Sequence, residues 1–291
     1  RGRGRVVVDL QAQLVDGASF VNFMTSGDAP LEPLLRDAFF ADVLRFGGML
    51  ATDALPQPYL IVDQAIAALF PAAPVDAAAA ARARSNLSLF LSQIRSEQGG
   101  AIDILVPDGF VSVGVTEQVT AKPASELGII TTRGGSIRSI VGSNFEVNTS
   151  RVFTLQGGDI MLWSSFGNLD AGKGARTASA TPPPQIIVRG DQIILDSSNS
   201  IAGAGIGVLL SREDVVPGSV YLFAPRGSVD AGDAGVRSAG NIVVNAQSVS
   251  NAQAFQAGGT SSGVPSVAPP AAPPAAPSGN TGADAAKAVE K

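Results

Sequence analysis

Three aspartates are the residues of this sequence best suited to chemistry on a polymer. Asp159 and Asp191 each follow a glycine, and Asp196 lies close behind the second of them. Two carboxylates at a set separation can hydrolyse a glycosidic bond. Gly-Asp pairs are more often turn formers, because the short side chain bonds to the backbone. We therefore predict no enzymatic activity and keep a β-helix enzyme that degrades polysaccharides with grouped Asp residues as the alternative.

Two further motifs suggest ligands on first inspection. Asp170-Ala171-Gly172 and Asp230-Ala231-Gly232 present oxygen ligands beside a glycine, which suits calcium. The calcium-binding nonapeptide repeat and the EF-hand loop are both absent, so an Asx-type turn at a corner explains these motifs better. Gly172-Lys173-Gly174 lacks the spacing of a Walker phosphate loop. We predict neither a metal nor a cofactor.

Composition removes other classes of chemistry. The 291 residues include no His and no Cys, which excludes Ser-His-Asp and Cys-His catalysis, zinc held by either residue, and disulfides. The net charge of -5 argues against a nucleic-acid partner, which requires a basic surface. The most apolar stretch, residues 59–75, is interrupted by Asp63 and Pro71, so we predict no transmembrane span. The chain begins Arg1-Gly2 without Met, and we expect a fragment of a longer protein.

The elements that must position these residues are indicated by an internal repeat. Six segments begin with a glycine that is followed two or three residues later by an aliphatic residue. They start at Gly100, Gly135, Gly158, Gly190, Gly218 and Gly240. The intervals of 35, 23, 32, 28 and 22 residues fit a base period of about 22 with insertions. Such a period is typical of a solenoid.

Each repeat also has internal order. A second aliphatic residue follows the first by nine positions, as in Ile160 to Leu169, and a β-rich run precedes the glycine. Three short strands per turn predict an all-β parallel β-helix; a β-sandwich is the less favoured alternative. One inward ladder is expected from the key aliphatic residues of the repeats: Ile102, Ile137, Ile160, Ile193, Val220 and Ile242.

Four regions follow from this pattern. Residues 1–28 are predicted as β-helix rungs and residues 29–84 as an α-helical insertion. The helices are expected from Leu31 to Phe46, from Leu60 to Phe70 and from Val75 to Ala83. Residues 85–255 hold the β-helix repeats. Residues 256–291, rich in Ala and Pro, are predicted to be a disordered tail.

Alternation along the strands predicts an apolar column on the outside of the β-helix. If Ile160 and Leu162 point inward, their neighbours point outward. The outward residues are Met161, Trp163, Ile194, Tyr221, Phe223 and Val243. This column is either covered by the helical segment, through Leu34, Leu35, Phe39 and Phe46, or serves as an adhesive surface for sugar or protein. We favour the cover, because the helices also need a place to bury their apolar faces.

Several stretches resemble the filamentous haemagglutinin family of large exoproteins and a recurring C-terminal domain of uncharacterised function in them. They are Leu89–Ile94 leading into Gly99-Gly100, Arg151–Ile160, Leu162–Ser165, and Asp170–Thr177 followed by Pro182–Pro184. The resemblance implies a right-handed β-helix, secretion across the Gram-negative outer membrane through a partner pore, and a location at the cell surface. It implies a structural adhesin that supports attachment or biofilm. It supplies no receptor, so a host or bacterial glycan or protein stays open.

Overall fold

A computed structural model describes residues 32–49, 57–70, 86–115, 126–173, 185–189, 192–196, 203–210 and 214–266; of residues 32–36, 185–189 and 192–196 we describe the backbone alone. Two α-helices precede a series of β-strands. Helix α1 spans Glu32–Gly47 and helix α2 spans Tyr59–Leu69. Pro58 stands directly before α2, and the Phe70 amide, bonded to the Ile66 carbonyl at 2.8 Å, closes its end. The predicted helix at residues 75–83 lies outside the described residues.

The strands form three rows, and within each row every neighbouring pair is parallel. The first row is β3 (Ile102–Val106), β6 (Ile137–Val141), β9 (Ile160–Ser164), the first half of β14 (Val220–Asp230), the first half of β16 (Ile242–Ser250) and β18 (Ser261–Ser262). The second row is β1 (Leu87–Leu89), β4 (Val111–Val113), β7 (Phe145–Glu146), β10 (Leu169–Asp170) and the second halves of β14 and β16. The third row is β2 (Gln93–Ser96), β5 (Gly128–Thr131), β8 (Arg151–Leu155), β13 (Gly205–Leu209), β15 (Val236–Ser238) and β17 (Phe255–Ala257).

The chain visits the rows in the order first, second, third, and then returns to the first; we call one such passage a rung. Each rung bonds to the next through its backbone, as Ile160 N to Ser219 O at 3.0 Å and Val220 N to Asn241 O at 2.9 Å. This mostly β, parallel arrangement is consistent with the predicted β-helix class.

One continuous core runs through the rungs. Ile102, Ile137, Ile160, Val220 and Ile242 stand opposite one another in successive strands. The last four are 0 % exposed. Because the strands stack in register about 4.8 Å apart, each aliphatic side chain rests on its equivalent in the neighbouring rung. The repeat predicted this ladder correctly at these five positions.

Ile193 does not join the ladder, because the segment that begins at Gly190 is not a rung. Strand β11 (Gln185–Arg189) pairs with β12 (Gln192–Asp196) in an antiparallel hairpin. Ile160 pairs directly with Val220, and β8 pairs directly with β13, so neither strand of the hairpin takes part in a row. The two strands satisfy each other's backbone groups locally. The dipeptide Gly190-Asp191, typical of a two-residue hairpin loop, was the sequence signal for this outcome.

The rows also continue beyond residue 255, where the tail is predicted to begin. Strand β17 ends at Ala257, and β18 pairs with β16 through Ser261 opposite Ile242. The Thr260 amide and hydroxyl both donate to Asn241 Oδ1, at 2.9 and 3.0 Å. A single asparagine thereby anchors a polar segment that buries little apolar surface. Residues 1–28 and 267–291 lie outside the described residues.

Candidate functional site

The outer face of the first row carries the predicted apolar column. Met161 stands opposite Tyr221, which stands opposite Val243, and Trp163 stands opposite Phe223. These five residues therefore occupy two adjacent lines on one surface of the sheet, which we call the outer stripe. Ile194 is not part of it: in the β11–β12 hairpin it stands opposite Ile187, away from the first row.

The two helices lie on the outer stripe. Trp163 and Phe223 are 0 % exposed, and they share one buried cluster with Phe39, Phe40 and Val43 of α1. Helix α2 adds Val62, Ala65 and Ile66 to the same cluster. The Trp163 indole meets the Phe223 ring edge-on at 6.3 Å between centroids, and its Nε1 donates to Ser165 Oγ at 3.0 Å. The side chains of Leu34 and Leu35, predicted to contribute, lie outside the described residues.

The close approach of α1 requires a small residue at its end. A Cβ atom at Gly47 would lie 2.6 Å from the Phe223 ring, so only glycine lets the helix reach the sheet there. Asn245 of β16 stands opposite Phe223 of β14, and its Nδ2 donates to the Gly47 carbonyl at 2.7 Å. This bond satisfies one of the carbonyl groups that a helix leaves open at its C-terminus.

Two arginines of the first row and its corner hold the helices in place. Arg138 of β6 binds Asp103 of β3 through two bonds of 2.7 and 2.8 Å, and its Nη1 reaches Asp37 of α1 at 3.3 Å. Its guanidinium lies 4.1 Å from the centre of the Phe40 ring. Burial lowers the pKa of Arg138, but the bonds and charges of Asp103 and Asp37 outweigh it, so the pKa is raised. The guanidinium stays charged and couples α1 to two rungs.

Arg226 does the same for α2 at the corner between the first and second rows. Its Nη2 contacts Asp63 Oδ2 at 2.5 Å, and its Nη1 donates to the Ser165 carbonyl at 3.1 Å. The guanidinium lies between the Tyr59 ring of α2, at 4.7 Å, and the Phe166 ring, at 4.9 Å. The hydrogen bond that Arg226 donates to the Asp63 carboxylate raises the pKa of Arg226. The cation therefore joins helix and sheet by charge and by ring contacts.

Replacing Arg226 by alanine is expected to loosen α2 at a cost of roughly 1–2 kcal/mol, because an ion pair and two cation–π contacts are lost. The chain has a single tryptophan, Trp163, beneath the helices. In the Arg226→Ala variant we expect acrylamide to quench the Trp163 fluorescence more strongly, and the emission maximum to shift to longer wavelength. The matched control is Arg133→Ala, because Arg133 is exposed. Equal quenching in both variants would contradict a tethering role for Arg226.

Comparison with known proteins concerns the second half of the chain. Residues 157–266 match the model of a family described as filamentous haemagglutinin family outer membrane protein. Over this span the chain is similar to the filamentous haemagglutinin family. The predicted resemblance is thereby confirmed for the segment that runs from just before β9 to just after β18. No curated protein and no solved structure matches the chain.

All five residues of the outer stripe fall within the filamentous haemagglutinin segment, whereas α1 and α2 precede it. The matched segment thus supplies the apolar surface, and the two helices supply its cover. Neither described helix is long and apolar enough to cross a lipid bilayer. The family description places its members at the outer membrane.

Asp159, the first candidate carboxylate, belongs to a ladder of polar side chains between rungs. Its Oδ1 accepts a bond from the Ser219 amide at 2.7 Å, and its own amide donates to Ser136 Oγ at 3.0 Å. In the next rung, Ser219 Oγ accepts from the Asn241 amide at 3.1 Å. At Ser136, Asp159 and Ser219, the side chain of the residue after the repeated glycine therefore accepts a bond from the equivalent backbone amide of the following rung. Asp191 lies outside the described residues, and Asp196 pairs with Gln185 in the hairpin.

Changing Asp159 to alanine should leave the Ser219 amide without its partner and cost about 1–3 kcal/mol of unfolding free energy. Asp159→Asn keeps an oxygen acceptor of the same size and should cost less. Chemical denaturation of the two variants measures the difference. If both variants were equally destabilised, the ladder bond would not be the reason for an aspartate at this position.

The two Asp-Ala-Gly motifs form equivalent corners. Gly172 N donates to Asp170 Oδ1 at 2.7 Å, and Gly232 N donates to Asp230 Oδ1 at 2.8 Å. These are Asx turns, and both glycines have positive φ, of 95° and 57°. Within the described residues no cluster of three or more metal-binding side chains exists. The turn interpretation therefore accounts for the motifs.

Sequence reasoning missed a second buried surface, on the outside of the third row. Ile130, Phe153, Leu155 and Leu209 form a separate apolar cluster there. Arg151 of the same row is 0 % exposed, and its Nε donates to the Leu127 carbonyl at 3.4 Å. Burial, together with the positive charge of Arg95, lowers the pKa of Arg151 to about 10. The only signal for this surface was the run of apolar outward positions in β5 and β8.

Exposed aromatic residues were also missed. Phe166 is 70 % exposed, and it borders a shallow groove with Phe110 and the polar residues Asn86, Asp108 and Ser143. The groove crosses the corners between the first and second rows of neighbouring rungs. Unlike the outer stripe, this surface is open to solvent.

Proposed function

We propose that this chain is a structural part of a large secreted, surface-associated adhesin, in which stacked rungs extend or display a fibre and support attachment or biofilm. We propose further that the three rows form a right-handed parallel β-helix. Export through an outer-membrane partner pore and exposure on a Gram-negative cell are part of the same proposal. It also assigns the chain no enzymatic activity.

The observation that carries the proposal is the core of stacked rungs, whose second half lies in the segment that matches the filamentous haemagglutinin family. Each rung contacts only its neighbours, so length is gained by repeating one unit. Such stacking suits a chain that folds progressively as it emerges from a pore, because each rung bonds to the rung before it, and the helices that cover the outer stripe precede all the described strands in the chain. The absence of Cys removes the need for oxidative pairing during that process.

The chemistry of the candidate residues supports a mechanical role. The carboxylate of Asp159 is engaged by the backbone of the next rung, and Asp170 and Asp230 close corners. Because these side chains bond to the protein itself, their contribution is to the fold. The alternative, a polysaccharide-degrading enzyme, requires two carboxylates at one groove, and among the described residues that line the groove at Phe110, Asp108 is the single carboxylate.

The groove bordered by Phe110 and Phe166 is the surface that we propose for attachment. Two aromatic side chains beside an amide, a carboxylate and a hydroxyl combine apolar contact area with hydrogen-bonding groups. The outer stripe cannot play this part while the helices cover it, since Trp163 has no exposed surface.

The experiment measures the attachment of beads coated with the purified chain to bacterial and epithelial cells. We expect the parent chain to raise attachment over uncoated beads, and Phe110→Ser to reduce it several-fold; Phe166 is left in place because its ring contacts Arg226, which holds α2. Phe90→Ser is the matched control, because Phe90 is 64 % exposed but lies outside the groove. Unchanged Trp163 emission in both variants verifies that the helices stay docked.

Either of two results would contradict the proposal. The first is that beads coated with the parent chain attach no better than uncoated beads. The second is that the chain shortens acidic or neutral polysaccharides in an assay of polysaccharide length. If the parent chain raised attachment and the groove variant raised it equally, the adhesin role would stand, but attachment would use a surface other than the groove.

A further inference from the structure

A line of equivalent residues runs along the corner where each rung enters the second row. They come directly before the inward residues of that row, which stand opposite one another from Leu87 of β1 to Val229 of β14. We call this line the corner ladder. Its members are Asn86, Phe110, Asn144, Asn168 and Ser228.

Asparagine side chains of the corner ladder bond each rung to the next. Asn86 Oδ1 accepts a bond from the Phe110 amide at 3.2 Å. Asn144 Oδ1 accepts from the Asn168 amide at 3.0 Å, and Asn168 Oδ1 accepts from the Ser228 amide at 2.9 Å. Each of these bonds satisfies a backbone amide at a corner, where no strand supplies a partner, and so stabilises the stack.

Phe110 interrupts the corner ladder. Its own amide donates to Asn86, but its ring has no oxygen to offer to the amide of Asn144 in the following rung. The ring is instead 37 % exposed and borders the groove. The rung therefore gives up a bond to its neighbour at the same position at which it exposes an aromatic side chain. A residue that breaks the rule of its own fold in this way is expected at a functional site.

The groove is long and runs along the stack. Its lining residues include one from the corner of each of four successive rungs, namely Asn86, Phe110, Ser143 and Phe166. Since neighbouring rungs are about 4.8 Å apart, four corners span about 14 Å. An extended peptide advances by about 3.3 Å per residue, so about four of its residues fit along this length. The shape therefore suits an extended segment of a partner chain.

The chemistry of the groove suits a cation. Asp108 is exposed on the turn between β3 and β4, and it is the single charged residue among the described residues that line the groove. A carboxylate attracts a cation by charge, and the face of an aromatic ring attracts it as well. One ring of the groove already shows this contact, because the Arg226 guanidinium lies 4.9 Å from the centre of the Phe166 ring. The Phe110 ring lies two positions after Asp108 and borders the open groove.

We propose that the groove binds an extended segment of a partner protein by a lysine or arginine side chain, which pairs with the Asp108 carboxylate and contacts the Phe110 ring. The Asn86 carboxamide and the Ser143 hydroxyl, both on exposed residues of the groove, are available to the backbone of that segment. The net charge of -5 favours the approach of a basic partner. This inference rests on the attachment role proposed for the groove and specifies the ligand of that same surface.

The first experiment tests whether Phe110 stands at a position that the fold suits to asparagine. Phe110→Asn and Phe110→Leu replace the ring by side chains of similar size, but only asparagine offers an oxygen to the Asn144 amide. We expect Phe110→Asn to melt several degrees above Phe110→Leu in thermal unfolding followed by circular dichroism. Equal melting temperatures would overturn the argument that Phe110 is kept at the expense of a bond between rungs.

The second experiment measures binding of a fluorescein-labelled tetralysine peptide to the full chain by fluorescence anisotropy. We expect Asp108→Asn and Phe110→Leu to weaken binding several-fold, and added salt to weaken it further. Glu126→Gln is the matched control, because Glu126 is exposed, lies outside the groove and loses the same charge. The same peptide with its four side-chain amines acetylated should bind far more weakly, since only the charge differs.

Equal binding of the charged and the acetylated peptide, or equal effects of Asp108→Asn and Glu126→Gln, would overturn the proposed ligand. Binding of a neutral tetrasaccharide in place of tetralysine would overturn it as well. These failures differ from a failure of the adhesin role, because the peptide assay uses purified protein without cells. If coated beads attached to cells but tetralysine did not bind, the adhesin role would stand and the basic ligand would be wrong. If tetralysine bound through Asp108 but the beads did not attach, the reverse would hold.

Discussion

Replacing Trp163 by alanine should lower the free energy of unfolding by about 3–5 kcal/mol, the usual cost of removing a large buried aromatic side chain. Trp163 is 0 % exposed, lies against Phe223 and shares its cluster with Phe39 and Phe40 of α1. The cavity would lie between the helices and the sheet. We therefore expect the helical circular dichroism signal to melt at a lower temperature, while the β signal changes less.

The control for this variant is Phe90→Ala, which removes an aromatic side chain that is 64 % exposed. It should change the melting temperature little. Attachment of coated beads separates the two interpretations of the outer stripe. If Trp163→Ala abolished attachment while its melting temperature stayed that of the parent, the stripe would be an adhesive surface and the cover interpretation would be wrong.

Replacing Ile160 by alanine should cost about 2–5 kcal/mol and act on the whole stack. Ile160 is 0 % exposed and lies between Ile137 and Val220 in the core ladder. A cavity there removes contacts to two rungs at once, so the β signal and the helical signal should both melt earlier. This behaviour distinguishes it from Trp163→Ala, whose effect should begin in the helices.

Thermal unfolding followed at two wavelengths measures both effects in one experiment. Val216→Ala is a suitable control for Ile160→Ala, since Val216 is an aliphatic residue that is 83 % exposed. If Ile160→Ala lowered only the helical transition, the first row would not be part of a continuous stack, and the structural role proposed for the chain would lose its basis.

Much of the fold could be predicted because a stacked rung repeats its own chemistry. The glycine with an aliphatic residue two positions later marked β3, β6, β9, β14 and β16, and the alternation within β9 assigned Met161 and Trp163 to the outside. The segment at Gly190 shows where this reasoning stops. Its local pattern is the same as that of the other repeats. Its two adjacent β-rich runs pair with each other, however, and the resulting hairpin takes no part in the three rows.

The candidate site, like the fold, was predictable from the sequence only in part. The sequence indicated which residues of the outer stripe need a cover, but it did not reveal the contacts that hold the cover in place. Arg138 and Asp37 are 101 residues apart in the chain, and Arg226 and Asp63 are 163 apart. No local pattern links such residues, because their proximity depends on how the helices cross the sheet.

The sequence by itself determined the repeat, the inward ladder and the apolar character of the outer stripe. These properties depend on periodicity and on the preference of apolar side chains for burial, which are local and additive along the chain. Only the tertiary structure decided that Asp159 serves the backbone of the next rung, that two arginines fasten the helices, and that Phe110 and Phe166 stay exposed. Those outcomes depend on which distant groups meet, and that is decided by the stacking of the rungs and the packing of the helices against them.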